Sequence, residues 1–591
     1  MMSKYYIIPR IFFALFLFSI AFSLQAQTVN LKLIETSDIH GAIYPWDFKN
    51  DKAAATSLAQ IYTYIEEQRL DKKQELILLD NGDILQGQPV VYYSNFEKTD
   101  TEHICASVMN YMKYDAATVG NHDIEAGHNV YDKLEKEFDF PWMAANAVNT
   151  KTGKPYFKPY TILNRKGVKI AILGLITPGI PMWLPEKIWS GIDFQDMILT
   201  AKKWVKIIEE KEHPDILIGL FHSGVEWNYN GQTADMLRNE NASQLVAEQV
   251  PGFDVVFVGH DHKSWNYWVN DAEGNKVLIL GTKGSAGTAT EATIILNKNK
   301  ETNVWEKEIT GNVITVENYK PHQAFINEFS SQIKEVKDYV SKPIGQFTEA
   351  ISTKESFFGN SAFIDLIQQI QLDLTKADIS FASPLSYNAE INKGEVYVRD
   401  MFNLYKYENL LYTMKMSGQE IKDYLEYSYG QWFNQMQNED DHLLNFSRDN
   451  KGQIILSHGK PQLADSYYNF SSAAGINYTV DVSKEMGKKI KIHSLSNGKA
   501  FDLKKIYSVA VNSYRGNGGG GHLTLGAKIP ENEITARITT STQKDLRYYL
   551  MKWIEKEKII TPQKLNNWNV IPINWVKKGR EKDWQIMFQN Q

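Results

Sequence analysis

Five apolar, strand-like runs in the first half of the sequence each lead into residue types that bind metal ions. The run 33–34 leads into Asp38 and His40, 76–79 into Asp83, 116–119 into Asn121 and His122, 216–220 into His222, and 255–258 into His260 and His262. Each signal alone is weak, because Asp-x-His only says that two side chains share one side of an extended chain. Together, and in this order, they describe a two-metal hydrolase site. A carboxylate shared between two cations, for which Asp83 is the candidate, holds them about 3.5–4 Å apart, where they acidify a water and steady the attacking and leaving oxygens of a displacement at phosphorus. Neutral imidazoles complete the shells without cancelling the charge that attracts a phosphate. Gly41, Gly82, Gly120 and Gly259 suit turns in which backbone must come close to an ion.

These residues need a scaffold that brings strand ends together. Residues 31–298 alternate strand-like runs with amphipathic helical stretches at 57–68, 101–112, 130–138 and 198–211, an α/β pattern. Residues 322–341 read as one polar helix with Phe325, Phe329, Ile333, Val336 and Val340 at helical spacing, closed by Pro343-Ile344-Gly345, where a domain boundary is expected. A second, α+β domain follows over 345–560, with helices near 361–375 and 418–429 and strands at 379–382 and 508–512. The tail 561–591 carries Trp568, Trp575 and Trp584 and reads as a packed extension.

The chain has 591 residues, 43% apolar and 23% charged, with a formal net charge of −6. That length suits two domains plus an N-terminal extra. No long basic run is present, so polymeric nucleic acid is not an expected partner and a small substrate is. Lys4 and Arg10 precede an apolar stretch at 11–24, and Ala26 offers a cleavage point before Gln27. Residues 1–26 are therefore expected to be a signal peptide. The mature chain would be exported without a stable membrane anchor, to the periplasm of a two-membrane bacterium or otherwise outside the cell. Cys105 is the single cysteine, which excludes an intrachain disulfide.

The ordered motifs resemble the calcineurin-like metallophosphoesterases. The resemblance implies an αββα sandwich of two mixed sheets and a ligand set: Asp38, His40, Asp83 and His262 for one divalent ion, and Asp83, Asn121, His222 and His260 for the other. Zn, Mn, Fe and Co all suit these donors. His122 matches the family histidine that faces the phosphate, with Glu125 as its orienting partner. In the second domain, Tyr514-Arg515-Gly516-Asn517-Gly518-Gly519-Gly520-Gly521 follows a strand-like run and supplies an aromatic plate beside a loop that a planar ligand can approach. The spacing of Gly516, Gly518 and Gly521 formally matches a dinucleotide fingerprint, but 522–526 does not read as a helix start and the acidic partner is missing, so that match is rejected.

With this segment the chain resembles the 5′-nucleotidase family over nearly its whole mature length, and within it the 2′,3′-cyclic-nucleotide 2′-phosphodiesterase/3′-nucleotidase branch. The stretches 36–41, 45–48, 80–87, 430–434, 475–478 and 512–519 carry the likeness. It implies a nucleotide substrate whose base is sandwiched by Tyr407 and Tyr514, with Arg515, Asn517 and Gly516, Gly518, Gly519 and Gly520 around it. A hinge near 343–345 is implied as well. Members acting on 5′-nucleotides place arginines in the segment equivalent to 382–388, where this chain has none. A 5′-nucleotidase or nucleotide-sugar hydrolase, and a non-catalytic nutrient-binding or surface protein, are the alternatives.

Overall fold

Strand alternation sets the layers of the first domain. The computed structural model describes residues 27–299, 301–457 and 460–589; the segment 1–26, expected as a signal peptide, lies outside them. In the strand Thr28–Thr36, Leu31 and Leu33 point to one face and Ile34 to the other, and Ile77 and Leu79 alternate with Leu78 in Glu75–Asp80. The first set meets Ile216, Ile218, Leu220, Val255 and Phe257 of a second sheet in one buried cluster, while the opposite faces are covered by helices. The result is an αββα sandwich with its main core between the sheets.

Both sheets have six strands and are mixed. In the first, Thr28–Thr36, Glu75–Asp80 and Ala116–Thr118 are consecutive parallel neighbours; in the second, Ile216–His222 lies parallel to Val255–Val258. All five ligand-bearing strands therefore deliver their C-terminal ends to one edge. The sheets are tied there by Asn81 Nδ2 donating to Phe221 O and Thr118 Oγ1 donating to Leu220 O, both at 3.0 Å.

Two helices, Gln323–Glu328 and Ser330–Val340, occupy the segment expected as one. Phe329 breaks the path because it packs with Phe325 against Tyr44 and Tyr111, and all of these rings belong to the first domain's outer core. Residues 343–345 open the strand Pro343–Phe347, paired antiparallel to Gly394–Tyr397 and parallel to Ile559–Ile560. The segment where a domain boundary was expected therefore begins the second domain's first strand.

The second domain is built on a five-stranded sheet, in the order Ser472–Ala474, Ile379–Ala382, Ile506–Asn512, Leu411–Ser417 and Ile538–Ser541, with the helices Ala362–Thr375, Gly418–Trp432 and Leu546–Glu557 against it. Trp568–Ile571 of the tail joins a smaller sheet parallel to Ile476–Asp481, and the Trp568 ring stacks on Tyr478. Tyr92 of the first domain enters the second domain's core, where its hydroxyl donates to Asp545 (3.1 Å) beneath the Arg547 guanidinium. No described helix is long and apolar enough to cross a membrane.

Candidate active site

The seven candidate metal ligands converge from five strand ends. Donor atoms of Asp38, His40 and His262 form one group and those of Asp83, His222 and His260 another, each group lying within 4.8 Å. Asn121 joins the second, its Oδ1 standing 3.1 Å from His222 Nε2 and 2.8 Å from His260 Nδ1. His40 Nε2 and His262 Nε2 face each other at 2.9 Å. Asp83 lies against the second group through a 3.1 Å approach of Oδ2 to His222 Nε2.

Backbone geometry explains how short turns aim so many donors at one point. Asp38, His40, Asp83, His260 and His262 all have left-handed φ, at 53°, 50°, 60°, 77° and 54°. Such residues cost about 1–3 kcal/mol each and gather where function over-determines the backbone. Two glycines allow the close packing that remains. A Cβ on Gly120 would collide with Asp83 Oδ1, and one on Gly259 would collide with Ser37 Oγ and lie 3.0 Å from Asp38 Oδ2. Asp123 knits the Asp83 turn by accepting from the backbone N–H groups of Asp83, Ile84, Leu85 and Gly120.

Tautomers are set by partners on the far side of each ring. His40 Nδ1 lies 3.1 Å from Gln86 O and His222 Nδ1 2.6 Å from Asn81 O, so each donates there and turns Nε2 towards the site. Burial opposes charge on His222, but Asp83 overcomes it and raises the pKa to about 10, so a cation would bind there by displacing the Nε2 proton. His260 is reversed: Nε2 reaches Glu240 Oε1 at 3.2 Å and Nδ1 faces the site, while Trp183 stacks on the ring at 5.6 Å. Burial opposes charge on Asp38 and Asp83, yet neighbouring histidines, His262 for Asp38 and His222 for Asp83, hold both carboxyls well below the usual range. Burial and His262 push His40 down to about 3, keeping it neutral as a ligand must be. Buried ionised carboxylates among neutral-capable imidazoles are the donor chemistry that a divalent cation pair requires.

His122 lies beside this cluster, its ring edge-on to His40 at 5.3 Å. Its Nδ1 is 2.5 Å from Glu125 Oε2, and its backbone N–H donates to Asp83 Oδ1 at 2.7 Å. Burial works against a proton on His122, but Asp83 and Glu125 overcome it and raise the pKa to about 9. The remaining nitrogen, Nε2, serves the cavity that the ring lines.

That cavity, of about 220 Å³, joins the two domains. Asn121, His122, Glu125 and His260 form one wall, and Tyr407, Tyr468 and Tyr514 of the second domain form the other. Tyr407 and Tyr514 therefore face the same space as His122. Arg515 does not. Its guanidinium turns inward and donates to Gly519 O (2.6 Å), Tyr468 O (3.0 Å) and Asn469 Oδ1. A buried cation needs that many acceptors, and the turn around it supplies them. Gly516, Asn517, Gly518, Gly519 and Gly520 also stay off the cavity wall. Gly516 is packed on Tyr412, Gly519 on the Tyr514 ring and Gly520 on Arg515, so the loop shapes the clamp from behind. Residues 519–526 wind into short helical turns where none was expected, though the left-handed Gly518, Gly520 and Gly521 keep them from being a continuous helix. Glu240, Trp183, Tyr229 and Tyr468 had no sequence signal, since each reaches the site from an irregular or short element distant in sequence.

Residues 31–264 match the calcineurin-like phosphoesterase family and residues 343–526 the 5′-nucleotidase C-terminal domain. The chain is 27% identical to a trifunctional nucleotide phosphoesterase protein of Bacillus subtilis, over 93% of this chain but only 39% of that longer protein. It is 25% identical to a 2′,3′-cyclic-nucleotide 2′-phosphodiesterase/3′-nucleotidase of Yersinia enterocolitica, over 93% of this chain and 89% of the relative. Among solved structures, a candidate 5′-nucleotidase from Staphylococcus aureus shares the fold with a TM-score of 0.74 at 20% identity, covering 92% of this chain and 99% of that one. The two domain matches, in this order around one shared cavity, place the chain in the 5′-nucleotidase family, with a calcineurin-like phosphoesterase domain followed by a 5′-nucleotidase C-terminal domain.

Proposed function

We propose that the chain is an exported hydrolase that opens 2′,3′-cyclic nucleotides to 3′-nucleotides and then removes the 3′-phosphate to give a nucleoside. The observation that carries this reading is the cavity in which His122, with Asn121 and His260 of the second ligand group, faces Tyr407 and Tyr514. Two further features favour the cyclic substrate. Among the described residues the cavity wall has neither arginine nor lysine, in keeping with the absence of arginine from 382–388. Arg399, the first arginine after the segment 382–388, is engaged with Asp51 and Ser341. The Yersinia relative bears the name of this activity.

Asp38, His40, Asp83 and His262 would hold one divalent cation and Asp83, Asn121, His222 and His260 the other. When bound, the pair supplies Lewis acidity to the phosphoryl oxygens and activates water. The chain's own groups do the rest. Tyr407 and Tyr514 hold the base, and His122, oriented by Glu125, delivers a proton from Nε2 to the departing 2′ oxygen. Water adds at phosphorus, the bond to O2′ breaks as O2′ takes the His122 proton, and the proton shed by the water restores His122. A second water then adds at the 3′-phosphomonoester, the bond to O3′ breaks as O3′ takes the His122 proton, and phosphate leaves. The test is product analysis of the purified protein on 2′,3′-cyclic AMP, 3′-AMP and 5′-AMP, with Mn or Zn and with chelator. Passage of the cyclic compound through 3′-AMP to adenosine supports the reading; preference for 5′-AMP overturns it in favour of a 5′-nucleotidase. Export is tested by sequencing the N-terminus of the secreted or periplasmic chain, expected to begin at Gln27; a chain retained in the cytoplasm with residues 1–26 intact refutes it.

A further inference from the structure

Tyr407 and Tyr514 belong to the second domain, but the cavity they line also has a wall from the first. Tyr229 lines it together with Tyr407, Tyr468 and Tyr514. This tyrosine sits on a one-turn helix, Tyr229–Gly231, within the connection between the strand ending at His222 and the helix Ser243–Gln249. Among the described residues no aromatic ring packs on Tyr229, and it is 39% exposed, whereas Tyr514 has Tyr468 edge-on at 6.4 Å. Burial, with Tyr468 and Glu240 nearby, pushes its phenol well above the ordinary pKa. A half-exposed aromatic ring lining the same cavity as Tyr407 and Tyr514 is placed to cover something planar.

The connection is braced along its length, with Arg238 N donating to Asp196 Oδ2 (2.8 Å) and the Arg238 guanidinium to Asp193 Oδ1 (3.0 Å). Asn239 Nδ2 donates to Trp227 O (2.8 Å), Asn241 Nδ2 to Glu226 O (3.2 Å), and Glu240 N to Gln232 Oε1 (3.0 Å). It is bracketed by the site itself, leaving from His222 and returning through Glu240, whose carboxylate holds His260.

We propose that Tyr229 forms a first-domain wall of the base site and that this third aromatic surface makes the enzyme prefer purine over pyrimidine nucleotides. A bicyclic base covers more of Tyr229, Tyr407 and Tyr514 together than a monocyclic one, and stacking grows with the ring area covered. The inference rests on the nucleotide reading of the site, not on which phosphoester is cleaved.

Steady-state kinetics of wild type, Tyr229→Phe and Tyr229→Ala on adenine and cytosine forms of the same nucleotide test it. The pair is 2′,3′-cyclic AMP and CMP, or 5′-AMP and 5′-CMP should the protein prefer those; a switch of pair would overturn the cyclic reading and leave this one testable. Wild type is expected to show a KM for adenine several-fold below that for cytosine. Tyr229→Ala should raise the adenine KM about tenfold and the cytosine KM less, with kcat within about twofold and metal content unchanged. Tyr229→Phe should restore the preference. Equal KM values for both bases in wild type, an unchanged adenine KM in Tyr229→Ala, or a fall in kcat with lost metal would each overturn the proposal.

Discussion

Replacing Glu125 with glutamine isolates what orients His122. The Nδ1 to Oε2 contact is 2.5 Å long, Glu125 is almost fully buried, and among the described residues no other side-chain partner holds this face of the imidazole. A hydrogen bond to a charged group is worth about 1.5–3 kcal/mol and a neutral one about 0.5–1.5 kcal/mol. The Glu125→Gln side chain keeps the shape and loses the charge, so the protonated imidazole that His122 needs before it donates is stabilised less by about 1–1.5 kcal/mol, which lowers its pKa by about one unit and costs roughly tenfold in kcat once the pH exceeds about 9. Loss of the acid itself in His122→Asn should cost about 10²–10⁴-fold. The assay is kcat and KM on 2′,3′-cyclic AMP for both single variants and the double variant, with metal content measured in each. Because Glu125 acts through His122, the double variant should be no slower than His122→Asn alone. A further tenfold drop in the double variant, or wild-type kcat in Glu125→Gln above about pH 9, refutes the orienting role.

Three other outcomes follow from the geometry. Glu240→Gln, which weakens the bond to His260 Nε2, should lower metal affinity by about 10–100-fold, read as activity against free metal concentration; unchanged affinity refutes it. Chelation should abolish turnover and lower the melting temperature, since ions that bind only the folded chain stabilise it, and Mn or Zn should restore both. His103, buried, with Nδ1 accepting from Cys105 N and Nε2 on Asn95, is held by burial at about 3. An unfolded chain takes up this proton below about 6.5 while the folded one does not, so stability is full above that pH and falls as pH drops towards 3, by up to about 1.4 kcal/mol per unit. His103→Gln should flatten the slope of unfolding free energy between about pH 6.5 and 4, and a slope equal to wild type would exclude His103 as its source.

The strand-end ligands were legible because their signal is local. An apolar run, a turn and a ligand residue are all neighbours in sequence, and parallel pairing then obliges neighbouring strands to present the same ends. Tyr407 and Tyr514 were legible through motif likeness rather than pattern. Positions within the loop after Tyr514 were misjudged for a physical reason: an arginine among glycines looks available to a ligand, but Asn469 and Tyr468, some 46 residues earlier, meet its guanidinium in the folded chain. The break at Phe329 was hidden as well, because helical spacing carries no record of the Tyr44 and Tyr111 rings that draw that residue inward.

Sequence alone thus determined the donor types, the α/β scaffold able to gather them and the two-domain order, all set by short-range periodicity and turn chemistry. Tertiary structure alone decided which ring nitrogen faces the site, through carbonyls and Glu240 on the far side of each imidazole, and which aromatics share the cavity. It also decided that Tyr92 fastens one domain into the core of the other. Those choices depend on contacts between segments hundreds of residues apart, where burial and hydrogen-bond satisfaction are settled only once the chain has closed.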